Sequence, residues 1–272
     1  MWSALQFEFM RNALLASIII SILCGIIGTL VVVNRLVFMT GGIAHSAYGG
    51  VGLGLYTGIS PFLGAGIFAV LNAIIMGLAT VKDRDRADTV IGVLWAIGMA
   101  TGIIFVDLTH GYNVNLMSYL FGSILSISKK EIYISVFFTI LLIGWVCLFY
   151  KELLAISYDE EFSYVIGIPV IPLYFLTLIF TAISVIIAMR MVGLILVIAL
   201  ISIPPYIAEN CTYSLAQMMA LSSLFAMFFS IAGLWISYYF NISAGASIIL
   251  VAGIGFFISY LLRAFEKRKR WV

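Results

Sequence analysis

Two histidines and one run of three acids are the residues of this chain with chemistry to offer. His45 lies in Gly42-Ile43-Ala44-His45-Ser46-Ala47, and Gly42, Ser46, Gly50, Gly54 and Gly58 recur at every fourth position. Small side chains at that spacing let helices approach closely in a membrane, and the ladder by itself needs no role beyond packing. An ionisable ring in such a span is costly unless it meets a partner or water, which makes His45 a functional candidate. Gly41 and Gly49, one turn to either side, leave its face bare and give room for a ligand. A hydrogen bond to a neighbouring carbonyl would make the same ring structural. His110 stands in Asp107-Leu108-Thr109-His110-Gly111-Tyr112. Imidazole and carboxylate together suit Zn²⁺, Mn²⁺ or Fe²⁺, although a solvated turn explains the same residues at a loop tip.

The acids Asp159, Glu160 and Glu161 open the stretch Ser157 to Pro169, which lies between two long apolar runs and is too polar and short to cross a bilayer. Phe162, Val165 and Ile166 fall at i, i+3 and i+4, one apolar stripe of a short helix. Gly167 and Pro169 supply its stop, a permissive residue and then one that cannot continue the ladder. The pattern fits a docking helix for a soluble partner, and it fits a solvated loop between spans.

The elements that must carry these residues follow from composition. Of 272 residues, 64% are hydrophobic and 10% charged. A soluble domain of this size could not cover itself with so few charges. Apolar runs of about 18 to 25 residues match a bilayer core. The expected spans are 12–33, 41–58, 61–81, 88–107, 131–150, 170–189, 192–209, 213–239 and 244–262. The first exceeds a signal-peptide core and lacks an Ala-x-Ala site, so it reads as a retained span. Pro61 should open the third span, and Asp88 should cap the fourth. Residues 112–128, apolar but short, suggest a re-entrant or partial helix, since irregular backbone survives at membrane depth only under protein cover. Pro204 and Pro205 should break or kink the late span, with Glu209 just beyond at the rim. The fold expected is all-α: one polytopic helix bundle of about nine spans over residues 1–272, with a short re-entrant helix.

Nine crossings place Arg35, Lys82, Arg84, Arg86, Lys151, Arg263 and the tail Lys267-Arg268-Lys269-Arg270 on one side. Arg11, Lys129, Lys130 and Arg190 fall opposite. Ten basic residues against four assign the larger group to the cytoplasm. The acidic stretch at 159–166 is then inside and the N-terminus outside.

Several classes are excluded by what is missing. No Gly-x-x-x-x-Gly-Lys-Ser/Thr loop binds ATP here, and neither His-Glu-x-x-His nor Gly-x-Ser-x-Gly is present. No paired carboxylates share an intramembrane face, so an intramembrane enzyme is a poor fit. A basic nucleic-acid surface is also lacking. Cys24, Cys147 and Cys211 lie far apart, which suggests neither a disulfide framework nor a zinc cluster.

Five stretches together resemble the permease subunits of bacterial ABC importers for zinc, manganese and related divalent metals. They are Gly42 to Ala47, Asp88-Thr89-Val90-Ile91-Gly92, Asn113 to Gly122, Val192 to Leu196 with Ile203-Pro204, and Ala244-Gly245. The resemblance covers nearly the whole chain in order. It implies a multi-pass protein of the bacterial cytoplasmic membrane that works as a homodimer or paired permease among the membrane lipids. Its partners would be separate ABC ATPase subunits, which bind the ATP, and an extracellular or periplasmic metal-binding protein that delivers the ion. No cofactor is expected in this chain; the divalent metal is the cargo. The resemblance also makes residues 159–167 the coupling helix, with Asp159, Glu160, Glu161, Phe162, Val165 and Gly167 its contributors, and His45 a metal ligand. The family usually places an acid one turn before that histidine, where this chain has Gly41, and small residues after the late proline, where it has Pro205 and Tyr206. The site should then bind weakly or recruit a carboxylate from another helix, for which Asp107 is the nearest candidate. An ABC permease for another small solute, with a degenerate metal site, is the alternative.

Overall fold

In lipid, each backbone N–H and C=O must find its partner inside its own segment, so apolar runs of this length become helices. The computed structural model describes residues 6–82, 87–109 and 127–269, and over these the chain forms eleven helices with no strand. They are α1 (Glu8–Val33), α2 (Val37–Thr57), α3 (Pro61–Lys82), α4 (Ala87–Asp107), α5 (Lys129–Leu148), α6 (Tyr150–Tyr158), α7 (Glu160–Val165), α8 (Val170–Val192), α9 (Leu194–Glu209), α10 (Leu215–Phe240) and α11 (Ala244–Lys269).

Seven of these, α1, α3, α4, α5, α8, α10 and α11, are long and apolar enough to cross a membrane. The expected count of nine is therefore not confirmed. Helix α2 has the length, at 21 residues, but its glycines dilute its hydropathy, and α9 has 16 residues. The re-entrant segment expected at 112–128 lies almost wholly outside the described residues. Only its end is seen, where Ser128 caps α5 reciprocally with Glu131.

Two expected boundaries move. Helix α4 starts at Ala87, so Asp88 sits in its first turn rather than at its cap, where a carboxylate still complements the helix dipole. The late break falls at Gly193, with φ 85° and ψ 157°, a conformation essentially closed to residues with a Cβ. Pro204 and Pro205 lie instead within α9. Pro205 leaves the Ile201 carbonyl without its helical donor, and α1 covers that carbonyl closely at Gly28.

The centre of the bundle is built from α1, α2, α8 and α9, while α3, α4, α5 and α11 turn leucines, isoleucines and aromatics outward. Helix α2 is clasped between α3 and α4 by small residues. A Cβ at Gly98 would stand 2.5 Å from the Ser46 Cα, and one at Gly54 2.9 Å from the Pro61 Cα. Gly50 meets the Gly64 carbonyl and Gly52 the Gly102 carbonyl more closely still. From Ser46 to Gly54 the small-residue ladder thus serves backbone packing, and Gly58, left-handed at φ 74°, ends the helix.

Polar ties gather at the two ends of the bundle. At one, Lys129 pairs with Glu8 at 2.7 Å, Arg190 pairs with Glu131, and the Arg190 guanidinium lies 5.1 Å from the centre of the Phe62 ring. At the other, the Tyr150 hydroxyl accepts from the Ala216 amide at 3.1 Å, and Asn34 reaches Ser157 at 3.4 Å. Helices α6 and α7 project at this second end.

Candidate functional site

His45 is carried at the middle of α2, with its ring toward α4. The imidazole stacks on Trp95, ring centres 4.1 Å apart and planes 12° from parallel. Trp95 is itself held: its Nε1–H donates to the Met99 Sδ one turn later at 3.2 Å, and Phe38 tilts against it at 6.3 Å. The His45 Nδ1 is buried and has no hydrogen-bond partner among the described residues. The carbonyl bond that would have made this ring structural is thus not formed at that nitrogen. One turn before it, a Cβ at Gly41 would meet no described atom within 4 Å, although Gly41 itself is buried. A neutral imidazole nitrogen without a hydrogen-bond partner is a competent ligand for a divalent ion.

The structure does not bring Asp107 to this ring. Helices α2 and α4 run parallel, since Gly42 meets Ile91, Ser46 meets Gly98 and the Tyr56 ring tilts against Phe105. Asp107 lies twelve residues past Trp95 at the exposed end of α4, about 18 Å further along the axis at 1.5 Å per residue. Among the described residues no three His, Cys, Asp or Glu gather as a metal cluster. His110 and Asn113 to Gly122 fall outside the described residues. Glu209 lies at the second end of the bundle, lining a cavity of about 380 Å³ together with Val33, Ser157, Tyr158 and Tyr213.

The acidic stretch folds as the spacing predicts, with one refinement: it is preceded by a separate helix, α6, and Asp159 forms the joint. Asp159 is extended (φ −152°, ψ 104°), and its Oδ1 accepts the Phe162 amide at 2.9 Å, an N-cap for α7. Glu160 and Glu161 occupy the first turn, where negative charge suits the helix dipole. Gly167, at φ 85°, closes the C-terminus: its amide reaches the Tyr164 carbonyl at 3.2 Å, and the Ile168 amide reaches the Ser163 carbonyl at 3.1 Å. This paired closure needs a left-handed residue at Gly167. Ser163 faces inward, while Phe162 is 60% and Val165 81% exposed, with Tyr158, Tyr164 and Ile166 exposed beside them.

Trp95 and the pair Arg190–Glu131 carry no motif, and sequence reasoning passed over them as site residues. A tryptophan in mid-span, rather than in an interfacial belt, was the one available signal for the first.

Comparison with known proteins supplies the frame for this geometry. Over 263 residues the chain is 47% identical to an uncharacterized membrane protein of Synechocystis, covering 97% of this chain and 94% of that one. It is 34% identical over 258 residues to the manganese transport system membrane protein MntC of Listeria monocytogenes, covering 94% and 91%. Among solved structures it matches PsaBC from Streptococcus pneumoniae in complex with Fab, with a TM-score of 0.85, 32% identity and coverage of 95% and 93%. The expected kinship with metal-importer permeases is borne out. The model of the ABC 3 transport family matches residues 6–263, and the chain belongs to that family, as a multi-pass membrane permease.

Proposed function

We propose that this chain is the permease subunit of an ATP-driven importer for a divalent metal ion, zinc, manganese or iron, in the bacterial cytoplasmic membrane. The ion passes His45, and the observation that carries the reading is its buried Nδ1, without a hydrogen-bond partner among the described residues, one turn from the room left at Gly41. In this reading α2 and α9 cross with the seven long helices, the chain begins outside, and α6 and α7 lie in the cytoplasm. The exposed Phe162 and Val165 seat α7 in a groove of a separate ATPase, so that ATP-driven movement of α7 rocks the helices around His45. An external metal-binding protein delivers the ion, and a second permease copy completes the path. With Gly41 in place of an acid, the remaining ligands come from water, from the second copy or from another helix.

His45→Ala fits the small-residue surroundings and should reach the membrane at the normal level. Uptake of radioactive Mn²⁺, Zn²⁺ and Fe²⁺ by cells carrying it should fall at least about tenfold, as for loss of a ligand contact. Wild-type uptake by this variant would return His45 to packing. The lack of a three-residue ligand cluster among the described residues favours a second reading, a permease for another small solute. In that case cells with the wild-type chain would accumulate none of the three ions.

A further inference from the structure

Imidazole ligands are normally oriented through their second nitrogen, which donates to a carboxylate or a carbonyl and so fixes the ring plane. Among the described residues no hydrogen bond to the His45 ring is seen, and the turn that could present a carboxylate carries Gly41. What fixes the plane instead is the indole of Trp95, nearly parallel at 4.1 Å. The indole is in turn fixed from three directions. Its N–H is tied to the Met99 sulfur, Phe38 leans on it, and the close backbone approach of Gly98 to Ser46 sets the register that puts residue 95 opposite residue 45.

We infer that Trp95 is the positioning residue of the His45 site, its face replacing the missing hydrogen bond and walling one side of the position a divalent cation takes. This rests on the reading of His45 as a ligand. The lone pair of an imidazole nitrogen lies in the ring plane, so a cation bound there sits beside the indole face rather than against its edge. The flat indole wall denies the space to further ligands on that side. Trp95 therefore acts on binding of the ion, through the orientation of His45, and makes no bond to it.

The test measures initial uptake against Mn²⁺ and Zn²⁺ concentration in cells carrying the complete transporter, with the permease quantified in the membrane. Trp95→Leu removes the aromatic face and should raise KM about tenfold at an unchanged protein level, the size of a lost aromatic pair in a desolvated site. Trp95→Phe keeps a flat ring but loses the N–H, and should restore KM to within about twofold. Adding Trp95→Leu to His45→Ala should cost nothing more, since the indole acts through the imidazole. A wild-type KM for Trp95→Leu, or a Trp95→Phe as impaired as Trp95→Leu, would overturn the inference. If Trp95→Leu fails to reach the membrane, Trp95→Met decides on the same criterion. His45→Ala separates the two levels. Wild-type uptake by it removes the ligand reading and this inference with it; lost uptake beside a silent Trp95→Leu removes the inference alone.

Discussion

Replacing both Phe162 and Val165 with Asp tests whether α7 docks on a separate ATPase, and the size of the effect can be worked from the exposures. Phe162 is 60% and Val165 81% exposed in the free chain. Full burial of such side chains is worth about 1.5–3 kcal/mol each. Burying the exposed remainder in a groove therefore contributes about 1–2 kcal/mol apiece, scaled by those fractions. Removing both contributions gives a loss of about 2–4 kcal/mol, or about 30- to 1000-fold in affinity. Desolvating two new carboxylates would enlarge this. The cost to the permease itself should stay within about 0.5 kcal/mol, because neither side chain supports the core. The Asp159 carboxylate caps the backbone amide of residue 162 and the Gly167 closure joins backbone groups, so the exchange leaves both intact. Co-purification of the ATPase with detergent-solubilised permease reads the affinity, and permease level in the membrane reads the fold. The double variant should be present at the normal level and bring down no ATPase. Retention of the ATPase within twofold of wild type would refute the docking of this face.

Gly41→Asp should be accommodated without strain, since its Cβ meets open space, and should place a carboxylate one turn from His45. It is expected to tighten metal binding at least about tenfold while slowing turnover, read as a lower KM with a lower maximal uptake rate. Gly98→Val drives a side chain into the Ser46 backbone 2.5 Å away, and should destabilise the α2–α4 pair by about 1–3 kcal/mol or more. Gly92→Ala on the same helix meets no described atom within 4 Å and should be silent; permease levels and thermal stability in detergent compare the two. In a background lacking the exposed Cys147 and Cys211, cysteines at Lys82 and Lys269 should resist impermeant thiol reagents in intact cells, while one at Lys129 should react. The ten-to-four division of basic residues predicts this, and labelling at Lys82 from outside would invert the topology.

Much of the architecture was legible because the bilayer leaves a chain few choices. Helix starts at Pro61 and ends at Gly58 and Gly167 follow from one residue's backbone freedom, and each is found where the sequence places it. The small-residue ladder on α2 also announced itself, as packing needs no more than its spacing. The prolines of α9 do not end the helix, and α1 comes close enough at Gly28 to cover the carbonyl that Pro205 orphans. Helix α2 falls below the hydropathy of the seven long helices because glycine, which lowers hydropathy, is what lets a helix sit between two others.

The candidate site divides along the same line. His45 stood out from the sequence, since an ionisable group in an apolar run is visible without knowing its neighbours, and so did the self-contained α7, whose caps lie within the segment. The tertiary structure alone decided which groups meet His45. The register of α2 against α4 is set by the approach of Gly98 to Ser46, and it puts Trp95 over the imidazole and leaves Asp107 about three turns beyond it. That register is a property of two surfaces fitted together, fixed by contacts between residues some fifty positions apart, and neither helix read alone contains it.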